Sequence, residues 1–504
     1  MNRGPAAWAA MVAAMYAAAL GASPVAAASR AADKALESRL RAHIAILASD
    51  DFEGREPGTD GEAKTLRYLG RQWYEIGLVS GTNDPAHEWF APVTLVAREP
   101  AASSALFRRG ERVVGVPGHE VLVLTSGKRS LVRNAPLLFV GKGDAGALSR
   151  NDLAGRIAVM LDGTASAEGG VEADGERQNA LLAAGASGVL TILDGPRSLD
   201  QVAVRRKRSG YALADDTIGG DLEAFITRAG METLLKGGAH SLAELERSAL
   251  RPGFVHQALG LSASLEATTR ETTIRTHNLI GKLPGRNPDQ GAVLLVAHWD
   301  HFGRCAEPPA EDQICNGAID NASGVAALTE IARRLARGPR LDRDVYFLAT
   351  TAEELGLLGA HAFAENPPLP LTQIVAAFNI DSIALAPRGT PLGIVGRGMT
   401  GLDKSIEQVA RREQRRILPG NGANEYVRRQ DGWALLQHDV PAVMVTGTYG
   451  DIARVRAFFD TQYHRPSDDM SLITDLGGAA QDVDFHVALA RWFADTRAFP
   501  KPEH

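Results

Sequence analysis

Three short apolar runs constrain this chain more than any other feature: VLLVA at 293–297, VYFLA at 345–349 and IVAAF at 374–378. Each is short for a helix and lacks polar alternation, the pattern of a strand covered on both faces in a parallel sheet. Each also leads directly into side chains of another kind: His298, the pair Glu353 and Glu354, and Asp381. In an open α/β sheet, ligands bind in a crevice at the carboxyl ends of the strands. An imidazole and several carboxylates are therefore expected to meet in one place, and Asp320, on the turn NGAIDNASG, can join them.

The surrounding chain supplies cover for such a sheet. Leu36, Leu40, Ile44 and Leu47, then Leu66, Leu69, Trp73 and Ile76, recur at helical spacing, with the turn-rich segment 47–62 between them. A helix is predicted over 325–335, capped by Asn321 or Ser323, and another over 483–493, with further strands at 392–395 and 442–445. The fold class predicted is α/β, a mostly parallel mixed sheet flanked by helices. At 504 residues the chain exceeds one compact core. The texture changes over 117–260, where short β-like runs (121–124, 137–140, 157–161, 189–193) and a helix at 179–184 are spaced by Gly, Asp and Ser. That region reads as a smaller inserted α/β domain, a lid or interaction module without ligand-like clusters. The catalytic domain is then expected in 29–116 and 261–504.

A net charge of -6 leaves no basic footprint for nucleic acid, and Arg205-Arg206-Lys207-Arg208 reads as a solvated loop. The first 28 residues have one Arg, an Ala-rich apolar core and small residues near their end, as in a secretory signal peptide too short to span a bilayer. The expected location is periplasmic or secreted, with no membrane span. In an oxidising compartment Cys305 and Cys315 are expected to form a disulfide; free thiols or metal ligation are the alternatives.

In an extended segment His298 and Asp300 lie on the same side, so the carboxylate can receive the imidazole N–H and fix its tautomer. Taken alone, an H-x-D is also an ordinary surface pair. Adjacent Glu353 and Glu354 repel unless a cation compensates them, although an acidic helix start would place them equally well. Asp381 follows a buried strand, where an unpartnered carboxylate is costly. His464 lies on a loop before a Pro. Two imidazoles and three carboxylates without sulfur suit catalytic zinc or another divalent transition metal, and one bridging carboxylate would allow two ions. The G-x-G-x-x-G at 396–401 lacks the acidic residue of a dinucleotide site and reads as a turn.

Taken in order, His298-x-Asp300, the Gly317–Gly324 turn, Glu353-Glu354, Asn379-Ile380-Asp381 and Tyr463-His464-Arg465-Pro466-Ser467-Asp468 resemble the motifs of the co-catalytic zinc aminopeptidases, metallopeptidase family twenty-eight. The segment LASDDFEGREPGTDGE resembles that family's N-terminal part, and the insert a protease-associated domain. The resemblance implies two zinc ions: Asp320 bridges them, His298 and Asp381 hold one, and Glu354 and His464 hold the other. It further implies Glu353 as general base for a metal-activated water, Asp300 as the group orienting His298, and peptides with a free N-terminus as substrates. Carboxypeptidase or dipeptidase action, glutaminyl cyclisation, and a non-catalytic receptor-like role are the alternatives. The chain departs from the family pattern at Gln430-Asp431-Gly432, where relatives often have Ser-Asp-His, and in an extension over 449–462 before His464.

Overall fold

The computed structural model describes residues 24–501 except 164–169, 194–196, 209 and 217–220, so the expected leader lies, through residue 23, outside the described residues. Among the described residues no helix is long and apolar enough to cross a membrane. The chain divides into two compact units, one built from residues up to Val93 and from Arg275 onward, the other from Thr94–Ile274. The expected insert, 117–260, falls inside the second. Long strands, Phe90–Arg109 and Gln257–Leu283, account for the wider bounds.

The first unit opens with helices α1 (Pro24–Leu47) and α2 (Asp60–Ile76). Gly77 ends α2 at φ 94°, donating its amide to the carbonyls of Trp73 and Tyr74, a left-handed cap that glycine adopts without strain. The sheet contains the end of strand β1 (Gln257–Leu283), then β2 (Ala292–His298), β3 (Asp344–Thr350), β4 (Ile374–Asn379), β5 (Gly393–Val395) and β6 (Ala442–Thr446). Their spatial order is β5-β6-β4-β2-β3-β1. Strands β3, β2, β4 and β6 run parallel, while β1 and β5 pair antiparallel with β3 and β6. The chain leaves β2 for β3 on one side and returns to β4 on the other, so the strand order reverses at β2. A crevice opens at such a point.

The missing polar alternation has a direct cause. Val293, Leu295 and Ala297 of β2, with Val345, Phe347 and Ala349 of β3, enter a core formed with α1, α2, α3 (Ser323–Ala336) and the last helix, Gly477–Ala494. Leu294, Val296, Tyr346 and Leu348 point the opposite way, into a second core with Phe363, Leu435 and Val440. Fully burying one such side chain contributes about 1.5–3 kcal/mol, so both faces favour apolar residues. Of the two capping candidates for α3, Asn321 acts, its Oδ1 accepting the Gly324 amide at 2.9 Å; Ser323 instead donates to the Ile319 carbonyl.

In the second unit, Arg129–Phe139, Ile157–Leu161, Gly188–Ile192 and Leu222–Ile226 form a parallel run, and Val121–Thr125 closes it antiparallel. Residues 257–268 of β1 pair antiparallel with Arg129–Phe139. Its helix over 179–184 begins earlier, at Gly170. The basic run expected in a loop ends the helix Leu199–Arg208 instead, where cations favour the negative end of the helix dipole, and Arg206 pairs with Glu223.

Candidate metal centre

The carboxyl ends of β2, β3 and β4 bring the expected residues together. His298, the last residue of β2, places Nε2 3.2 Å from Asp320 Oδ1, 3.6 Å from Asp381 Oδ1 and 3.9 Å from Glu353 Oε2. The other Asp320 oxygen, Oδ2, lies 3.5 Å from His464 Nε2, which in turn lies 2.9 Å from Glu354 Oε2. Asp320 thus offers one oxygen to each of two donor sets.

Three of these atoms, His298 Nε2, Asp320 Oδ2 and His464 Nε2, and the second Glu354 oxygen, Oε1, are buried without a hydrogen-bond partner. Each such atom costs on the order of 1–3 kcal/mol, more when charged, so their convergence needs a compensating group. His298, Asp320 and Asp381 can each place one ligand atom within 4.8 Å of the others, as can His301, Asp320 and Glu354. Nitrogen and oxygen donors without thiolate fit a divalent transition metal of the zinc type.

Asp300 occupies a different position from the expected one. The strand stops at His298, so the Nδ1–H of that ring donates to the Asp300 backbone carbonyl at 3.2 Å, and the Asp300 carboxylate stands 3.8 Å away. That carboxylate instead accepts the backbone amides of Glu353 at 3.1 Å and Glu354 at 3.3 Å, setting both glutamates.

Three further residues escaped the sequence reading. Arg55 is fully buried and donates to four carbonyls: Trp299 at 2.8 Å, Leu47 at 2.8 Å, Asn316 at 2.6 Å and Gly317 at 3.0 Å. Asp468 accepts the amides of Ile319 at 2.9 Å and Asp320 at 3.1 Å, so Arg55 and Asp468 hold the Asp320 turn from its carbonyl and amide sides. His301, next to Asp300, is also buried and faces Glu354. Asp468 lay within a motif already singled out; nothing in the sequence separated Arg55 or His301 from their neighbours.

Electrostatics divide the adjacent glutamates. Burial pushes the Glu353 carboxyl well above the ordinary range, and Glu354, Asp431 and Asp381 reinforce this against the pull of His298. Burial and Asp320 also push Glu354 upward, but His464 and His301 outweigh them and bring it below its ordinary value. His464 would be lowered by burial, yet Glu354 and Asp320 carry it up to about 9. The two adjacent glutamates are therefore shifted in opposite directions, Glu353 upward and Glu354 downward.

The segment between His298 and Asp320 is closed by the Cys305–Cys315 disulfide, with Cα atoms 5.7 Å apart. The extension before His464 forms the helix Ile452–Thr461, and Tyr463 stacks on the His464 ring at 3.5 Å between centroids. At the Gly396 turn, the amides of Gly396 and Arg397 are taken by Asn424 Oδ1 at 2.8 and 3.0 Å, as expected of a plain turn.

A buried histidine–carboxylate centre thus lies where the strand order of a mixed α/β sheet reverses. Residues 278–483 match the model of Peptidase family M28. The fold resembles an aminopeptidase from Aneurinibacillus sp. strain AM-1, with a TM-score of 0.56 and 20% identity over 91% of this chain and 93% of that one. Aminopeptidase YwaD of Bacillus subtilis (strain 168) is 32% identical over 121 residues, 24% of each chain. A glutamate carboxypeptidase 2 homolog of Caenorhabditis elegans is 27% identical over 175 residues, 33% of this chain and 21% of that protein. The chain thus spans about a quarter or less of the length of these two curated relatives.

Proposed function

We propose that this protein is a two-zinc exopeptidase that removes N-terminal residues from peptides. The observation that carries the reading is the placement of Asp320, one oxygen toward His298 and the other toward His464, with Glu353 beside the His298 set. His298 and Asp381 would hold one ion and Glu354 and His464 the other, with Asp320 between them. When bound, zinc supplies Lewis acidity that lowers the pKa of water and polarises a carbonyl.

The protein's own groups then move the proton. Glu353, raised by burial, accepts it at its carboxylate from the attacking water and returns it to the leaving amine. Asp300, bound to the Glu353 amide, keeps that carboxylate in reach of the site. A cluster of carboxylates also favours a substrate carrying a free α-ammonium group, in keeping with the aminopeptidase named among the relatives. The carboxypeptidase homolog supports the second reading, attack at a free C-terminus on the same centre. The disulfide agrees with periplasmic or secreted residence, and we assign the unit Thr94–Ile274 to a protease-associated domain.

The test is hydrolysis by the zinc-loaded protein of free-amine aminoacyl amides, N-acetylated peptides with free C-termini, and both after chelation. Chelator-sensitive release from the free-amine amides alone is expected. Cleavage of only the acetylated peptides replaces the direction, and no metal-dependent cleavage of either overturns the reading.

A further inference from the structure

His301 lies outside every donor set that the sequence motifs define, yet its surroundings are built for it. The ring is 1% exposed, and a Cβ at Gly317 (φ 53°) would lie 2.7 Å from its Cγ and Cδ2, so the glycine leaves the space the imidazole occupies. Its Nδ1 stands 2.5 Å from Glu354 Oε1, while His464 Nε2 stands 2.9 Å from Glu354 Oε2. The two imidazoles, with centroids 5.9 Å apart, therefore flank one carboxylate, one at each oxygen.

The contact with Glu354 is not an ordinary hydrogen bond. Its length falls below the 2.7–3.2 Å of N–H···O bonds, and neither His301 nitrogen nor Glu354 Oε1 has an aligned hydrogen-bond partner. A purely structural histidine would leave a buried imidazole with no hydrogen bond, which proteins rarely tolerate. A ring nitrogen and a carboxylate oxygen held together without another partner can both serve a shared cation. His301, Asp320 and Glu354 each place a ligand atom within 4.8 Å of the others.

We propose that His301 is a direct ligand of the ion held by Glu354 and His464, an assignment that rests on the two-zinc reading. The two halves of the centre are then unequal. His301, His464, Glu354 and Asp320 close a four-donor site, whereas His298, Asp320 and Asp381 leave a three-donor site with one position open. Four protein ligands are typical of a zinc that stays in place, and three plus an open position of a zinc that meets water and substrate. Chemistry is thereby assigned to the His298 side, and retention of the centre to the His301 side.

The experiment loads the full-length exported protein with cobalt(II) and counts, by paramagnetic proton NMR, the hyperfine-shifted exchangeable N–H signals of ligating imidazoles. The wild type should show three, from His298, His301 and His464, and His301→Gln should show two. His301→Gln should also lose one cobalt from equilibrium dialysis with an affinity drop beyond the ~10–100-fold that follows loss of an outer partner of a metal ligand. Two cobalt ions bound with only two signals in the wild type would overturn the assignment and leave the two-metal reading intact. No cobalt binding would overturn both. The wild-type count decides the question even if the variant does not fold.

Discussion

Replacing Arg55 by lysine keeps a positive charge and removes the fork, so it isolates the geometric work of that side chain. The guanidinium makes four hydrogen bonds to carbonyls of Leu47, Trp299, Asn316 and Gly317. Burial lowers its pKa to about 10 against the raising effect of Asp320, Asp468, Asp300 and Glu354, so it remains charged at neutral pH. An ammonium at the end of a flexible stem can satisfy about two of those carbonyls. Losing two bonds from a charged donor, at roughly 1.5–3 kcal/mol each, gives a destabilisation of about 3–6 kcal/mol. That is a large part of the 5–15 kcal/mol typical of a domain. None of the 6 tryptophans falls in Thr94–Ile274, so tryptophan fluorescence in urea follows the first unit alone. The measurement is made with chelator and with saturating zinc, because bound metal adds its own stabilisation. The loss should be greater with zinc, since Arg55 holds the backbone just after His298 and ahead of Asp320. Arg55→Lys within ~1 kcal/mol of the wild type in chelator would refute the argument.

Glu353→Gln should keep its metal content by mass spectrometry while kcat falls about 10²–10⁴-fold, and Glu354→Ala should lose metal and recover in part at high zinc; the opposite pattern would exchange the two roles. His486, on the last helix, is held by burial at about 4 against an ordinary 6.5. As pH falls below 6.5 the unfolded chain takes up this proton first, so stability declines until about pH 4, by about 3 kcal/mol in all. His486→Gln should therefore show a shallower fall in Tm between those pH values; an equal fall would remove His486 as the cause. Asp482, pushed by burial up to about 6, acts in the opposite sense, which is why the comparison is between variant and wild type.

The central strands were legible because both faces are buried, which leaves an uninterrupted apolar run with polar side chains at its end. His298, the glutamate pair and Asp381 stood out as charged or polar side chains placed where an apolar run stops. Asp300 was misplaced because strand alternation was extended past His298, where the strand has already ended. His301 is hidden for the same reason, since no periodicity tells where a loop residue points. Arg55 bonds to carbonyls 244, 261 and 262 positions away, and backbone partners carry no signature in residue type. The bounds expected for the second unit, 117–260, are narrower than Thr94–Ile274 because the long strands Phe90–Arg109 and Gln257–Leu283 have many half-exposed positions and present no uninterrupted apolar run.

The grip of Arg55 and Asp468 on one turn also bears on when the centre comes into being. Asp468 bonds to amides 148 and 149 residues before it, while Arg55 waits for carbonyls made more than 240 residues later. No nascent fragment that ends before Asp468 contains both halves of the clamp. Loop closure over such separations is slow compared with local helix formation, so assembly of the centre belongs to the last stages of folding. Were the chain exported, as proposed, in an unfolded state, those stages would follow translocation, and the metal would be drawn from the pool on the far side of the membrane.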